Sequence, residues 1–112
     1  MNRFFAKASS FILSVAAGLI LFGAPVRAQT DAAGIFKAKC AACHGADGSG
    51  STAVGKSMKI RDFHSAEVQK QTDAQIIDII TTGEGAMPTY KGKLTDDQIK
   101  QVVGYIRDLA KK

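Results

Sequence analysis

Tryptophan is missing altogether, and cysteine, histidine and proline occur only twice each in 112 residues. Without the largest apolar side chain, a short chain has little with which to fill a core, and domains of this size often need a staple. The cysteines do not supply an ordinary one. Only two residues separate Cys40 from Cys43, and a disulfide closing so short a loop restrains the unfolded chain too little to stabilise a whole domain. No segment alternates apolar and polar residues well enough to read as a strand, and there is no clear internal repeat or low-complexity run. The expected fold class is all-α, with a core completed by some other means.

Charge is scarcer than it first looks. The chain opens MNRFFAKASSFILSVAAGLILFGAPVRAQT, in which Arg3 and Lys7 make a basic start, residues 8–22 are uncharged, and Gly23 and Pro25 break the run before Val26-Arg27-Ala28. This is the anatomy of a secretory signal peptide cleaved after Ala28. The uncharged run of roughly 15 residues falls short of the about 20 that a membrane-spanning helix needs. Residues 1–28 therefore read as a leader and residues 29–112 as one domain of a periplasmic or otherwise exported protein. All ten acidic residues lie in the domain and three of the fifteen basic ones in the leader, so the net charge falls from +5 to +2. Nucleic-acid binding, which rests on a concentrated basic face, loses its main support.

Three main helices are legible. Thr30 is placed to cap a first helix that starts at Asp31 and runs to about Cys43 through Ala32, Ala33, Ile35, Phe36, Ala38 and Cys40. Residues 45–55 hold four glycines in eleven positions and read as loop. Residues 58–70 carry no firm pattern beyond a short helix over 65–70. In TDAQIIDIITTGEG, Thr72 and Gln75 form a capping box, Ile76, Ile79 and Ile80 follow at helical spacing, and Gly83 supplies a stop. TDDQIKQVVGYIRDLAKK repeats the logic with Thr95 and Gln98, and Ile99, Val102, Val103, Ile106 and Leu109 trace one apolar stripe. The two connections between these helices are longer than a small domain normally carries, unless they wrap around something.

The chemistry is concentrated in KCAACHG, residues 39–45. Cys-x-x-Cys-His is the attachment signature of covalently bound haem. Two cysteines three positions apart on a helical turn face the same way, so both sulfurs can reach one porphyrin edge, and His44 is carried beneath the ring. A thioredoxin-like redox pair belongs near a βαβ pattern, which is missing. A zinc site from Cys40, Cys43, His44 and His64 would strain adjacent Cys43 and His44 to share one tetrahedron. A bare disulfide is the third competitor and is weak. For a second iron ligand, Met87 in GEGAMPTYKG is favoured, because Pro88 pushes it towards extended geometry in a stiff, glycine-flanked loop. Met58, in a lysine-rich stretch, reads as packing or surface, and His64, in DFHSAEVQK, as a solvated loop histidine.

CAACHG, GEGAMP and KLTDDQIKQVVGYIRDL together resemble the motifs of a class I c-type cytochrome of the short soluble bacterial and photosynthetic monohaem type, over residues 32–109. The resemblance implies a cytochrome c fold whose first and last helices cross. Gly34 and Phe36 would meet Gly104 and Tyr105 there, the glycines permitting close approach; the bland alternative is two glycines tolerated at about 1 kcal/mol each. It implies one haem c joined through Cys40 and Cys43, with iron held by His44 and Met87. Many relatives also place a proline after the attachment motif, and its carbonyl accepts the proximal imidazole's Nδ1–H. Residues 45–60 contain no proline, so that acceptor is unassigned.

With both iron faces filled, no substrate reaches the metal without displacing a ligand, so the expected function is a one-electron carrier and not an enzyme. Its partners would be transient protein redox partners, with docking to membrane redox complexes, no nucleic acid and a monomeric mature form. Ile35, Phe36, Met58, Ile79, Ile80 and Tyr90 are expected to line the haem pocket. Lys37, Lys39, Lys56, Lys59, Lys91 and Lys93 flank the motifs and would steer an acidic partner. Two alternatives come from other classes: a haem-based sensor or weak peroxidase in which Met87 leaves the iron, and an electron-entry subunit of a larger redox complex.

Overall fold

The computed structural model describes Gly18 and residues 31–112. The expected leader, residues 1–28, lies outside the described residues apart from Gly18, and so does Thr30. Six helices follow in order: α1 (Ala32–Lys39), α2 (Ala41–His44), α3 (Ala53–Ser57), α4 (Ala66–Gln69), α5 (Asp73–Thr82) and α6 (Asp96–Leu109). There is no strand among the described residues, only isolated bridges of Glu84 with Met87 and Lys91 with Leu94. No helix among them is long and apolar enough to cross a membrane.

The capping boxes set α5 and α6. Thr72 accepts from Gln75 N–H at 3.1 Å and Thr72 N–H donates to Gln75 Oε1 at 2.8 Å; Thr95 and Gln98 repeat both bonds at the same distances. Each box satisfies two amides that a helix start otherwise leaves unpaired. The apolar stripe of α6 is buried as its spacing requires: Ile99, Val102, Val103, Ile106 and Leu109 are each at most 5% exposed. That helix packs against both α1 and α5.

Three expectations about the elements are corrected. The first helix is capped by Asp31, whose carboxylate accepts from Ala33 N–H at 3.1 Å, and it starts one residue later than expected. It also kinks at Cys40 (φ −119°, ψ −37°) and does not run straight to Cys43. The hydrogen-bond ladder continues through the kink, since Cys40 N–H donates to Phe36 O while Cys40 O accepts from both Cys43 and His44. Residues 45–55 are not all loop either: Thr52 accepts from Gly55 N–H at 2.8 Å and starts α3. The short helix over 65–70 is present as α4, capped by Ser65.

The first and last helices do meet, through Phe36 and Tyr105, whose ring centroids are 5.2 Å apart. The glycines are not what brings them together. A Cβ on Gly104 would meet nothing within 4 Å, and one on Gly34 would meet only Asp31 of its own helix. The aromatic contact sets the spacing, and the glycines are simply tolerated. Arg107 binds α6 to the stretch between α4 and α5: its guanidinium donates to Asp73 Oδ1 (2.9 and 3.0 Å), Gln69 O (3.3 Å), Gln69 Oε1 (3.0 Å) and Gln71 O (2.5 Å). Planar, forked donors suit such multiple acceptance.

Truncating Ile99 to alanine should cost about 3 kcal/mol, within the range of about 2–5 for buried aliphatics. Removing the Thr95 cap hydroxyl (Thr95→Ala) should cost about 1 kcal/mol. Denaturant unfolding of the two variants checks the ranking, with lowered midpoints and an unchanged slope.

Candidate functional site

The kink at Cys40 and the single turn of α2 present Cys40, Cys43 and His44 to one cavity of about 430 Å³. Met87 lines the same cavity, as do Phe36, Met58, Ile79, Ile80 and Tyr90. Ile35 does not; it is 6% exposed and packs in the helical core instead. Both cysteines are unbridged. Among the described residues there is no cluster of three or more groups suited to an ordinary protein-only metal site, so the zinc alternative gains no support.

The attachment turn is held from behind by α3. The Thr52 hydroxyl donates to Cys43 O at 2.7 Å while accepting from Gly55 N–H, so one side chain joins the turn to the next helix start. Gly55 then packs directly on this joint. A Cβ there would lie 2.7 Å from Cys43 O and closer still to Gly50 O, so no larger residue fits.

A different device carries Met87. Glu84 and Met87 exchange backbone bonds, Met87 N–H to Glu84 O at 2.9 Å and Glu84 N–H to Met87 O at 3.2 Å. The chain leaves α5 at Gly83 (φ +80°), where a Cβ would lie 2.7 Å from Met87 O, and the hairpin itself turns through Gly85 and Ala86. Its far end is pinned to α5 by Thr89 Oγ1 donating to Thr81 O at 2.6 Å, and to α1 by Tyr90 Oη donating to Lys39 O at 2.8 Å. The last bond runs between the two motifs. It fixes the methionine loop relative to the cysteine turn.

Burial shapes the chemistry of the wall. It pushes the Cys40 thiol up to about 11, against the opposing pull of Lys39, so that thiol stays neutral near pH 7. Burial also lowers the pKa of His44, favouring the neutral ring with a lone pair free for a metal. Its Nδ1 is buried without a hydrogen-bond partner among the described residues, in keeping with the missing proline carbonyl. What orients the ring instead is Phe63, stacked on it with centroids 4.8 Å apart and planes at 28°. Gln69 Nε2 in turn donates to Phe63 O at 2.6 Å, and Gln69 Oε1 accepts from Arg107. A line of contacts thus joins α6 to the imidazole. This donor set, two neighbouring thiols, a neutral imidazole and a thioether on one largely apolar cavity, fits a covalently attached haem.

Phe63, Gln69, Arg107 and Thr52 were not singled out from the sequence. Thr52 had a local signal, a hydroxyl residue ahead of AVGKS. The others act through contacts 6 to 38 residues apart, which no local pattern encodes. Of the six flanking lysines, Lys39 and Lys59 line the cavity, and Lys93 lies 6.0 Å from the Tyr90 ring centroid.

A family model described as "Cytochrome C oxidase, cbb3-type, subunit III" matches residues 27–106. The chain is 43% identical over 78 residues to cytochrome c6 of Leptolyngbya boryana, covering 70% of this chain and 88% of that one. It is 34% identical over 111 residues to cytochrome c6 of a Picosynechococcus strain, covering 93% and 94%. Among solved structures it resembles the KustC0563 c-type cytochrome, with a TM-score of 0.66 and 34% identity over 70% of this chain and 96% of that one.

His64 stands outside the cavity lining, and it is not merely solvated. Its Nδ1 lies 2.7 Å from Asp62 Oδ1, which also accepts His64 N–H at 2.9 Å. The side-chain bond from Asp62 raises the His64 pKa above 6.5, and the backbone bond from His64 is the main cause holding Asp62 below 3.8. A raised histidine contributes stability below its unfolded pKa and loses it as pH rises through the folded value; the depressed carboxylate loses its contribution as pH falls through its own. NMR titration should therefore place His64 above 6.5, and Asp62→Asn should return it towards that value.

Proposed function

Because the chain belongs to the class I c-type cytochromes, we propose that it is an exported monohaem electron carrier whose iron is held by His44 and Met87. The observation that carries this reading is the convergence of Cys40, Cys43, His44 and Met87 on one cavity. The likeness to cytochromes c6 supports the carrier role, and the signal-like residues 1–28 support export.

Bound haem supplies a one-electron couple at its iron. The chain's own residues do the rest. Cys40 and Cys43 hold the group through thioether bonds, His44 offers a neutral imidazole that need shed no proton, and Met87 offers a thioether on a pinned loop. Phe36, Ile79, Ile80, Val102 and Ile106 exclude water from the cavity wall. A weakly donating thioether and a dry surround both favour the reduced state and so raise the potential.

The purified protein should be red, give a pyridine haemochrome, and carry the mass of one haem that survives denaturation. It should elute by itself on sizing; co-elution with membrane redox proteins would favour the electron-entry subunit that the family model's description suggests. In Met87→Ala the sulfur–iron absorption band should vanish, carbon monoxide should bind the reduced protein, and the potential should fall by on the order of 0.1 V, a fraction of the about 0.8 V that axial ligands command. A band that persists in Met87→Ala would remove this residue from the iron.

The cavity also predicts dependence on the group. Without the group, the apolar wall of Phe36, Ile80, Val102 and Ile106 would lose its packing partner and face water, in a domain whose whole stability is about 5–15 kcal/mol. The haem-free chain should be largely unfolded. Circular dichroism showing a stable helical apoprotein would refute this.

A further inference from the structure

The cysteine turn and the methionine hairpin sit on separate pieces of the chain, and the kink at Cys40 decides how they are joined. In an unbroken helix Cys43 N–H would donate to the Lys39 carbonyl. The kink turns that amide to Cys40 O at 3.2 Å, and His44 N–H donates to Cys40 O as well, at 2.9 Å. The Lys39 carbonyl, the last of α1, is thereby left for a donor from elsewhere. The Tyr90 hydroxyl takes it at 2.8 Å. Among the described residues this is the one side-chain hydrogen bond between the cysteine turn, residues 39–45, and the methionine segment, residues 83–94.

Little else holds the methionine hairpin on that side. Glu84, Gly85, Ala86, Pro88 and Thr89 are exposed, and a Cβ on Gly85 would meet nothing within 4 Å. Thr89 ties the hairpin to α5, the helix from which it departs, so that bond does not reach the cysteine turn. The pair of Glu84 with Arg61 spans 3.8 Å between half-exposed side chains, and such pairs contribute little. Segments with few buried contacts and exposed backbone bonds open locally at low cost. Tyr90 itself is half-buried and lines the cavity together with Met87.

We propose that Tyr90 is the positioning residue that keeps Met87 on the iron: its hydroxyl latches the hairpin to the carbonyl freed by the kink, and breaking the latch opens the iron to outside ligands. The proposal rests on the His44 and Met87 ligation proposed above. One bend serves both motifs, because the kink that presents the cysteines also creates the acceptor that holds the methionine. The latch also separates a carrier from a sensor or peroxidase, since a closed hairpin excludes outside ligands and an open one admits them. Only molecules with the hairpin open can bind such a ligand, so its apparent affinity scales with the open fraction.

The test uses the haem-loaded protein in its oxidised form, with imidazole as the outside ligand. On binding, one iron–sulfur bond breaks and one iron–nitrogen bond forms, and no electron moves. Tyr90→Phe keeps the ring and removes only the hydroxyl. Imidazole affinity, read from loss of the sulfur–iron band, should rise about fivefold in this variant, the factor that one hydrogen bond typically contributes. Amide hydrogen exchange at Glu84 and Met87 should quicken by a similar factor. Ile99→Val, which loosens the core away from the cavity by a comparable amount, should change neither. Imidazole affinity that stays at the wild-type value in Tyr90→Phe would overturn the latch. So would equal rises in Tyr90→Phe and Ile99→Val, which would make Tyr90 a general packing residue, and so would a rise in affinity without faster exchange at Glu84 and Met87. A wild type that lacks the sulfur–iron band, or a band that persists in Met87→Ala, would sink the ligation reading and the latch with it. An intact band with unchanged affinity in Tyr90→Phe sinks the latch alone.

Discussion

A cavity of about 430 Å³ takes the middle of a domain that has too few large side chains to close a core of its own. Interiors normally pack to crystal-like density, so a cavity of this size, partly open to solvent, gives the apolar residues around it two faces to serve. The apolar residues fall into two sets. Ile99, Val103 and Leu109 bind α6 to its neighbours away from the cavity, while Phe36, Ile80, Val102 and Ile106 belong to the same buried cluster and also form the cavity wall. The core is a shell, and its inner surface is the site.

Such a shell must hold its functional groups without support from the centre. It does so with short-range devices on the far side of the wall. The Cys43 carbonyl receives the Thr52 hydroxyl and is backed by Gly55, so the cysteine turn and α3 form one rigid piece. The methionine hairpin leaves α5 at Gly83 and is pinned by Thr89 and Tyr90. The Tyr90 hydroxyl on the Lys39 carbonyl joins these two pieces across 51 residues of sequence. Membership of the class I c-type cytochromes is the family-level expression of the same solution.

Much of this was legible beforehand, and for local reasons. Capping boxes at Thr72 and Thr95 act within four residues, and the stripe on α6 follows from helical period alone, so both emerged as read. The short α3 was missed because four glycines masked a cap whose hydroxyl is also turned to Cys43. Ile35 and Phe36 illustrate the limit: two adjacent apolar residues are equally buried candidates in sequence, yet only Phe36 faces the cavity. The glycines at 34 and 104 mislead for a similar reason, since a missing side chain marks close approach only when another element is there to approach.

By itself, then, the sequence determined the helical class, the starts of α5 and α6 and the spacing within the cysteine turn, all of which depend on hydrogen bonds and side-chain spacing within a few residues. It also placed a methionine before a proline in a glycine-flanked loop, a local constraint on backbone freedom. Only the tertiary structure decided that Phe63 stacks on His44, that Arg107 and Gln69 stand behind it, and that Tyr90 ties the loop to the turn. Those contacts join residues far apart in the chain. Their partners are chosen by how the helices pack, which a linear pattern does not record.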